Sequence, residues 1–252
     1  MVEGLDVFRN YFRNYSNCYI LIGGTACDLA MEEAGLPFRA TKDLDIVLCI
    51  EVIDRDFIQA FWDFIRLGGY QIQEKASGKK QFYRFTNPAD KSFPYMLELF
   101  SRKPDALAIA DESHLTPIPT EEEVASLSAI LLDDGYYSFI VSGKKEKDGL
   151  QAIGADRLIP LKAKAWLDLN YRKQQGAAID SKSIRKHRND VFRLYRIAEP
   201  GKTVSLPTNI AKDLQLFFSL IPNEEIDLKS LGLGSTTIES IIAELKRIYN
   251  SD

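Results

Sequence analysis

Residues 21–48 constrain this chain more than any other stretch. Leu21-Ile22-Gly23-Gly24-Thr25-Ala26 reads as a buried strand, a glycine turn and the start of a helix. Thr41-Lys42-Asp43-Leu44-Asp45-Ile46-Val47-Leu48 then reads as a strand with two carboxylates near its beginning. Side chains alternate across a strand, so Asp43 and Asp45 share one face while Leu44, Ile46 and Leu48 take the other. The two carboxylates are then roughly 7 Å apart at their Cα atoms. Hard oxygen ligands on a rigid strand, facing a glycine turn, suit Mg²⁺ (or Mn²⁺) with its phosphate ligands.

Each half of this pattern has its own physical reason. Gly23 and Gly24 reach backbone angles closed to other residues, and without side chains they let a ligand approach the main chain. Thr25 is expected to cap the helix that follows, whose free N–H groups would face an anion, so Gly23, Gly24 and Thr25 are the expected triphosphate-binding residues of this turn. That helix, about 26–34, stops at Gly35 with Pro37 just beyond. Arg39 and Lys42 lie beside the acidic pair, placed to hold triphosphate oxygens. Taken singly, a Gly-Gly is most often a tight turn and an Asp-x-Asp is common by chance; their order and spacing together are far more specific.

The combination resembles the signature of the polymerase-β-like nucleotidyltransferase superfamily: hydrophobic-Gly-Gly, a helix, then Asp-hydrophobic-Asp-hydrophobic. Downstream, Pro160-Leu161-Lys162-Ala163-Lys164-Ala165 and Arg185-Lys186-His187-Arg188-Asn189-Asp190-Val191 narrow the likeness. A helical Lys-x-x-Ala followed by a basic stretch ending in Asp-hydrophobic is similar to the AbiE-type abortive-infection toxin nucleotidyltransferases, as is the Arg39-x-Thr41-Lys42-Asp43-Leu44-Asp45 run. The resemblance covers most of residues 19–197. It implies metal-dependent transfer of a nucleoside monophosphate from an NTP to an acceptor hydroxyl. It also implies a tRNA acceptor and a cognate antitoxin as partners.

Pattern alone also speaks for Lys162. On a helix its neighbours one turn away are Leu158, Ala165, Trp166 and Leu169, so its amine lies on or beside an apolar stripe. Two readings are open: the amine snorkels to water, or it reaches the cleft to meet nucleotide phosphate. Lys164 has the simpler account of a surface pair with Asp168, four residues on. Asp190 borders the apolar side of a helix over about 183–198. It is either an ion-pair partner of Lys186 or Arg193, or the group that positions Lys162 or the nucleotide. The superfamily expects a third carboxylate on a neighbouring strand. Glu98, which interrupts the apolar run Tyr95-Met96-Leu97-Glu98-Leu99-Phe100, is the candidate, a satisfied core glutamate being the alternative. The candidate metal ligands are thus Asp43, Asp45 and Glu98, with Lys162 and Asp190 joining Asp43 and Asp45 as catalytic candidates.

Composition bounds these readings. A chain of 252 residues with 45% hydrophobic and 27% charged residues has ample core for one large domain or two small ones. A formal charge of −4 provides no broad basic field for nucleic acid. One local run remains on a single helix: Lys182, Arg185, Lys186, His187, Arg188, Arg193 and Arg196, to be read as an acceptor surface or as a solvated face. Lys144, Lys145 and Lys147 read most simply as a solvated loop. Three separated cysteines and two histidines build no zinc spacing. No apolar stretch is long enough to cross a membrane and no secretory pattern opens the chain, so a cytoplasmic protein is expected.

The expected fold is α/β (α+β): a nucleotidyltransferase-type mixed sheet with flanking helices in residues 1–157, then a helical domain in 158–252 that completes the cleft. Strands are expected at 18–22, through Ile50, and at 71–73, 81–86 and 96–100, with a late strand at 136–141. An amphipathic helix over 54–67 carries Phe57, Phe61, Trp62 and Phe64, read as core and not as a base-stacking platform. Residues 105–119 read as irregular. Two rivals stand beside the enzyme: a glycosyltransferase using Asp-x-Asp, and a nucleotide-binding or interaction protein that keeps the fold without turnover. Transfer of a terminal phosphoryl group to a protein is a further alternative.

Overall fold

A computed structural model describes residues 2–73, 82–100 and 133–250. Its centre is a seven-stranded mixed sheet in the order β3-β4-β5-β2-β1-β7-β6. The strands are β1 (Tyr19–Ile22), β2 (Asp43–Leu48), β3 (Gln71–Gln73), β4 (Phe82–Thr86), β5 (Met96–Phe100), β6 (Lys144–Lys147) and β7 (Leu150–Ile153). The β2–β5 and β1–β7 pairs are parallel; the other neighbours are antiparallel. The expected fold class, a mixed sheet with flanking helices, is what the chain adopts.

The sheet's apolar face explains why it forms. Tyr19, Leu21, Leu44, Ile46, Leu48, Leu97, Leu99 and Phe85 share that face by register and are all buried. Against it lie the aromatic side chains of α1 (Leu5–Tyr11) and α3 (Arg55–Gly68). Phe8 meets Tyr19 edge-on at 5.2 Å, and Phe61 meets Phe85 at 5.5 Å, separations at which aromatic pairs attract beyond their buried area. Phe57, Phe61, Trp62 and Phe64 are buried, so this aromatic stripe is core, as expected. Local signals set the bounds of α3: the Asp54 side chain accepts from the Phe57 N–H, and Gly69 ends the helix in the left-handed conformation.

Contacts divide the chain into two compact units. One comprises residues 1–120 with 144–153; the other comprises 121–143 with 154–252. The second unit contains α4 (Asp134–Ser142), α5 (Ala155–Gln174), α6 (Ser181–Tyr195), α7 (Thr208–Leu220) and α8 (Ile238–Tyr249). Two expectations are corrected here. The apolar run 136–141 is helical and not a strand: Asp133 caps α4 by accepting from the Tyr136 N–H, and Tyr136, Tyr137, Phe139 and Ile140 bury one helical face. Lys144, Lys145 and Lys147 belong to strand β6 and not to a loop. Asp148 and Gly149, both with positive φ, close a tight hairpin onto β7, and that Asp-Gly pair was the signal for it. The expectation for 105–119 lies outside the described residues.

Candidate active site

In the first unit, register builds a row of charge on the sheet face opposite the aromatic core. Arg84 on β4 pairs with Glu98 on β5, and Glu98 pairs with Asp45 on β2, so three ionisable side chains stand in line across three strands. Asp43 shares their face one step along β2, paired with Met96. Asp43 and Asp45 are half-buried. Glu98 is buried, and Arg84 grips it through Nε at 2.8 Å and Nη2 at 2.6 Å, both onto Oε1. Burial, with the adjacent and hydrogen-bonded Asp45 carboxyl next, pushes the Glu98 carboxyl well above the ordinary carboxylate range; Arg84 pulls the other way.

The glycine pair sits against this row. The helix α2 runs Gly23–Glu33, so the two glycines form its first turn instead of a separate turn before it. The Gly24 N–H donates to Asp45 Oδ2 at 3.2 Å. Gly23 has φ +63°, and a Cβ there would stand 1.7 Å from the same oxygen. Only glycine therefore lets Asp45 lie against the helix start. A Cβ on Gly24 would come 2.5 Å from Thr41 Oγ1.

The expected cap at Thr25 is corrected. Ile22 occupies the N-cap without a side-chain bond, and Thr25 is fully buried inside the first turn. Its hydroxyl donates to the Asp43 carbonyl at 2.7 Å, pinning α2 to β2. Lys42 is exposed, with Nζ 5.6 Å from the Tyr95 ring centre, and half-buried Arg39 lies over Phe38.

The carboxylate oxygens of Asp43, Asp45 and Glu98 are the donor type that a hard divalent cation takes, with the Arg84 guanidinium standing in the same row. A finished ligand sphere is not preformed. Among the described residues no three His, Cys, Asp or Glu side chains converge on one point, Glu98 Oε1 being held by Arg84 and Asp45 Oδ2 by the helix start. Arg84 is the residue that sequence reading missed; a lone arginine in the apolar run Phe82-Tyr83-Arg84-Phe85 carried the same signal that singled out Glu98.

Lys162 and Asp190 belong to the second unit and meet there. Lys162 Nζ lies 3.2 Å from Asp190 Oδ2, and Arg193 Nη1 lies 3.1 Å from Asp190 Oδ1. Asp190 is wholly enclosed and Lys162 is 5% exposed, so the lysine does not run out to water. Lys164 does not pair with Asp168 as expected. It reaches across to Asp213 on α7 at 2.9 Å, an oxygen pair that also accepts from the Tyr136 hydroxyl, while Asp168 faces Arg172. The basic run on α6 is neither a free acceptor surface nor a solvated face throughout: Arg188 is buried on Glu224 and Arg193 holds Asp190, leaving Lys182 and Arg185 exposed.

No family model matches this chain, and no curated relative does either. Among solved structures it is similar to the Megavirus polyadenylate synthase, at 13% identity and a TM-score of 0.42, covering 87% of this chain and 36% of that one. It is also similar to an antigenic nucleotidyltransferase-like protein from Paracoccidioides brasiliensis, at 16% identity and a TM-score of 0.46, covering 90% and 89%. The chain thus spans about a third of the polyadenylate synthase. No helix among the described residues is long and apolar enough to cross a membrane.

Proposed function

We propose that this chain is a metal-dependent nucleotidyltransferase, moving a nucleoside monophosphate from an NTP to an acceptor hydroxyl. One observation carries the reading: the Asp45–Glu98–Arg84 row, with Asp43 beside it, faces a helix start that only glycine permits. Asp43 and Asp45 would hold Mg²⁺ or Mn²⁺, and Glu98 would join them only by sharing its bond to Arg84. When bound, the metal supplies charge stabilisation for the attacking and leaving oxygens. The helix start at Gly23 and Gly24, with Arg39 and Lys42, would take the triphosphate, the Gly24 N–H exchanging its bond to Asp45 Oδ2 for a phosphate oxygen. Lys162, paired with Asp190 in the second unit, is put forward as a further functional residue on motif resemblance alone. The acceptor hydroxyl gives up its proton to solvent and its oxygen bonds the α-phosphorus as the bond from that phosphorus to the α–β bridging oxygen breaks, and pyrophosphate leaves with the bonding electrons.

A toxin role with a tRNA acceptor and an antitoxin partner rests on motif resemblance alone. Tying Arg188 and Arg193 into ion pairs shrinks the basic surface available to RNA, leaving the acceptor the least supported element.

The test is incubation with each α-³²P-NTP, Mg²⁺ and total RNA, beside an Asp43→Ala/Asp45→Ala variant. Label entering RNA with the native chain alone is the expected result. Metal-dependent NTP binding without any label transfer would favour the binding-protein reading, and label that survives the double substitution would place the site elsewhere.

A further inference from the structure

The Asp45–Glu98–Arg84 row contains a cation of its own, which the proposed chemistry leaves unused. Arg84 on β4 and Glu98 on β5 are cross-strand partners in the first unit, and both are buried. Arginine frequently meets a carboxylate with one donor on each oxygen. Here Nε at 2.8 Å and Nη2 at 2.6 Å both converge on Oε1. An ionised carboxylate offers about two lone-pair sites on each oxygen, so the guanidinium fills the share of Oε1. The same carboxyl is hydrogen-bonded to Asp45, its register partner on β2. Glu98 is therefore held from both neighbouring strands.

This arrangement sets how many ions the row can take. In a two-metal site the ions stand about 3.5–4 Å apart and need oxygen ligands enough for both. Among the described residues no three acidic, histidine or cysteine side chains converge on one point. Three carboxylates set against one buried guanidinium leave at most two negative charges, which a single divalent ion balances. The charge of a triphosphate is met, in the reading above, by Arg39, Lys42 and the helix start. A second ion would stand beside the Arg84 charge in a poorly solvated setting, where like charges repel strongly. Drawing Glu98 away to hold that ion would leave a buried guanidinium without its carboxylate.

We infer that the site holds one divalent ion, on Asp43 and Asp45, and that Arg84, clamped on Glu98, takes the place of a second. Arg84 is thereby a positioning residue that keeps Glu98 off the ion. The inference rests on the nucleotidyltransferase reading and goes beyond it in the number of ions. Mn²⁺ titrated into the full chain with an equimolar non-hydrolysable NTP analogue, followed by electron paramagnetic resonance, tests it beside Arg84→Met and Arg84→Lys. The native chain should bind one Mn²⁺ with the spectrum of an isolated ion. Arg84→Met removes the cation and frees Glu98, so it should admit a second Mn²⁺ and show the broadening of two coupled ions. Arg84→Lys keeps a cation and should remain at one, and it is the variant to read if Arg84→Met does not melt cooperatively. Two coupled ions in the native chain would overturn the inference and leave the catalytic reading standing. A folded Arg84→Met that holds one ion, or an Arg84→Lys that holds two, would overturn it as well. A native chain that binds no Mn²⁺ with the nucleotide would instead remove the catalytic reading beneath it.

Discussion

At the scale of single residues, the site is built from groups that tolerate no close substitute. Gly23 and Gly35 have nearly the same positive φ, yet only Gly23 has a carboxylate oxygen where a Cβ would go. Gly35→Ala should therefore cost only the backbone strain, about 1 kcal/mol. Gly23→Ala should add displacement of Asp45 to that strain, abolishing metal-dependent turnover. Chemical denaturation paired with the label-transfer assay separates the two effects, and equal behaviour of the two variants would refute this account. Arg84 and Glu98 make a second case, because removing one partner leaves the other buried without the group that satisfies it. Arg84→Ala should destabilise by about 3–5 kcal/mol, while Arg84→Met/Glu98→Leu should recover most of that loss. Urea unfolding reads both, and a harmless Arg84→Ala would show that Glu98 does not depend on it.

At the scale of elements, periodicity made most of the fold legible. The aromatic spacing of α3 and its Gly-Gly stop placed that helix within a residue at each end, and strands β3 and β5 fell where their patterns put them. The start of α2 was not legible, because glycines are poor helix formers and Thr25 looks like a cap. Docking against Asp43 and Asp45 is what draws both glycines into the first turn. Tertiary pairing was equally hidden: nothing in α5 alone says that Lys164 reaches Asp213 instead of Asp168. The pairing of α5 with α6 is the element-level test. Asp190 lies between Lys162 and Arg193, so Asp190→Ala should cost about 3–5 kcal/mol by leaving the buried Lys162 and the half-buried Arg193 without their carboxylate. Lys162→Met should cost far less stability, since Arg193 still serves Asp190, yet should depress turnover if its amine meets phosphate. Thermal melts beside kinetics distinguish these; an unaltered turnover in Lys162→Met would make that lysine a structural pin only.

At the scale of the whole molecule, the account joins a sheet whose two faces do different work. Register on one face gathers aliphatic and aromatic side chains against α1 and α3, and on the other it gathers Arg84, Glu98, Asp45 and Asp43. The Asp-x-Asp strand was legible because alternation is a local rule; Arg84 stood out in its apolar run, but its pairing with Glu98 was not legible, because which strand lies beside β5 is decided by the long-range pairing. The central claim is that Asp43 and Asp45 hold a metal–nucleotide complex at the Gly23–Gly24 helix start. Electron paramagnetic resonance of Mn²⁺, titrated with the chain in the presence of each NTP, tests it most directly. The account predicts protein-bound Mn²⁺ that depends on nucleotide and is lost in Asp43→Asn/Asp45→Asn. Mn²⁺–NTP bound equally well by that variant would contradict it.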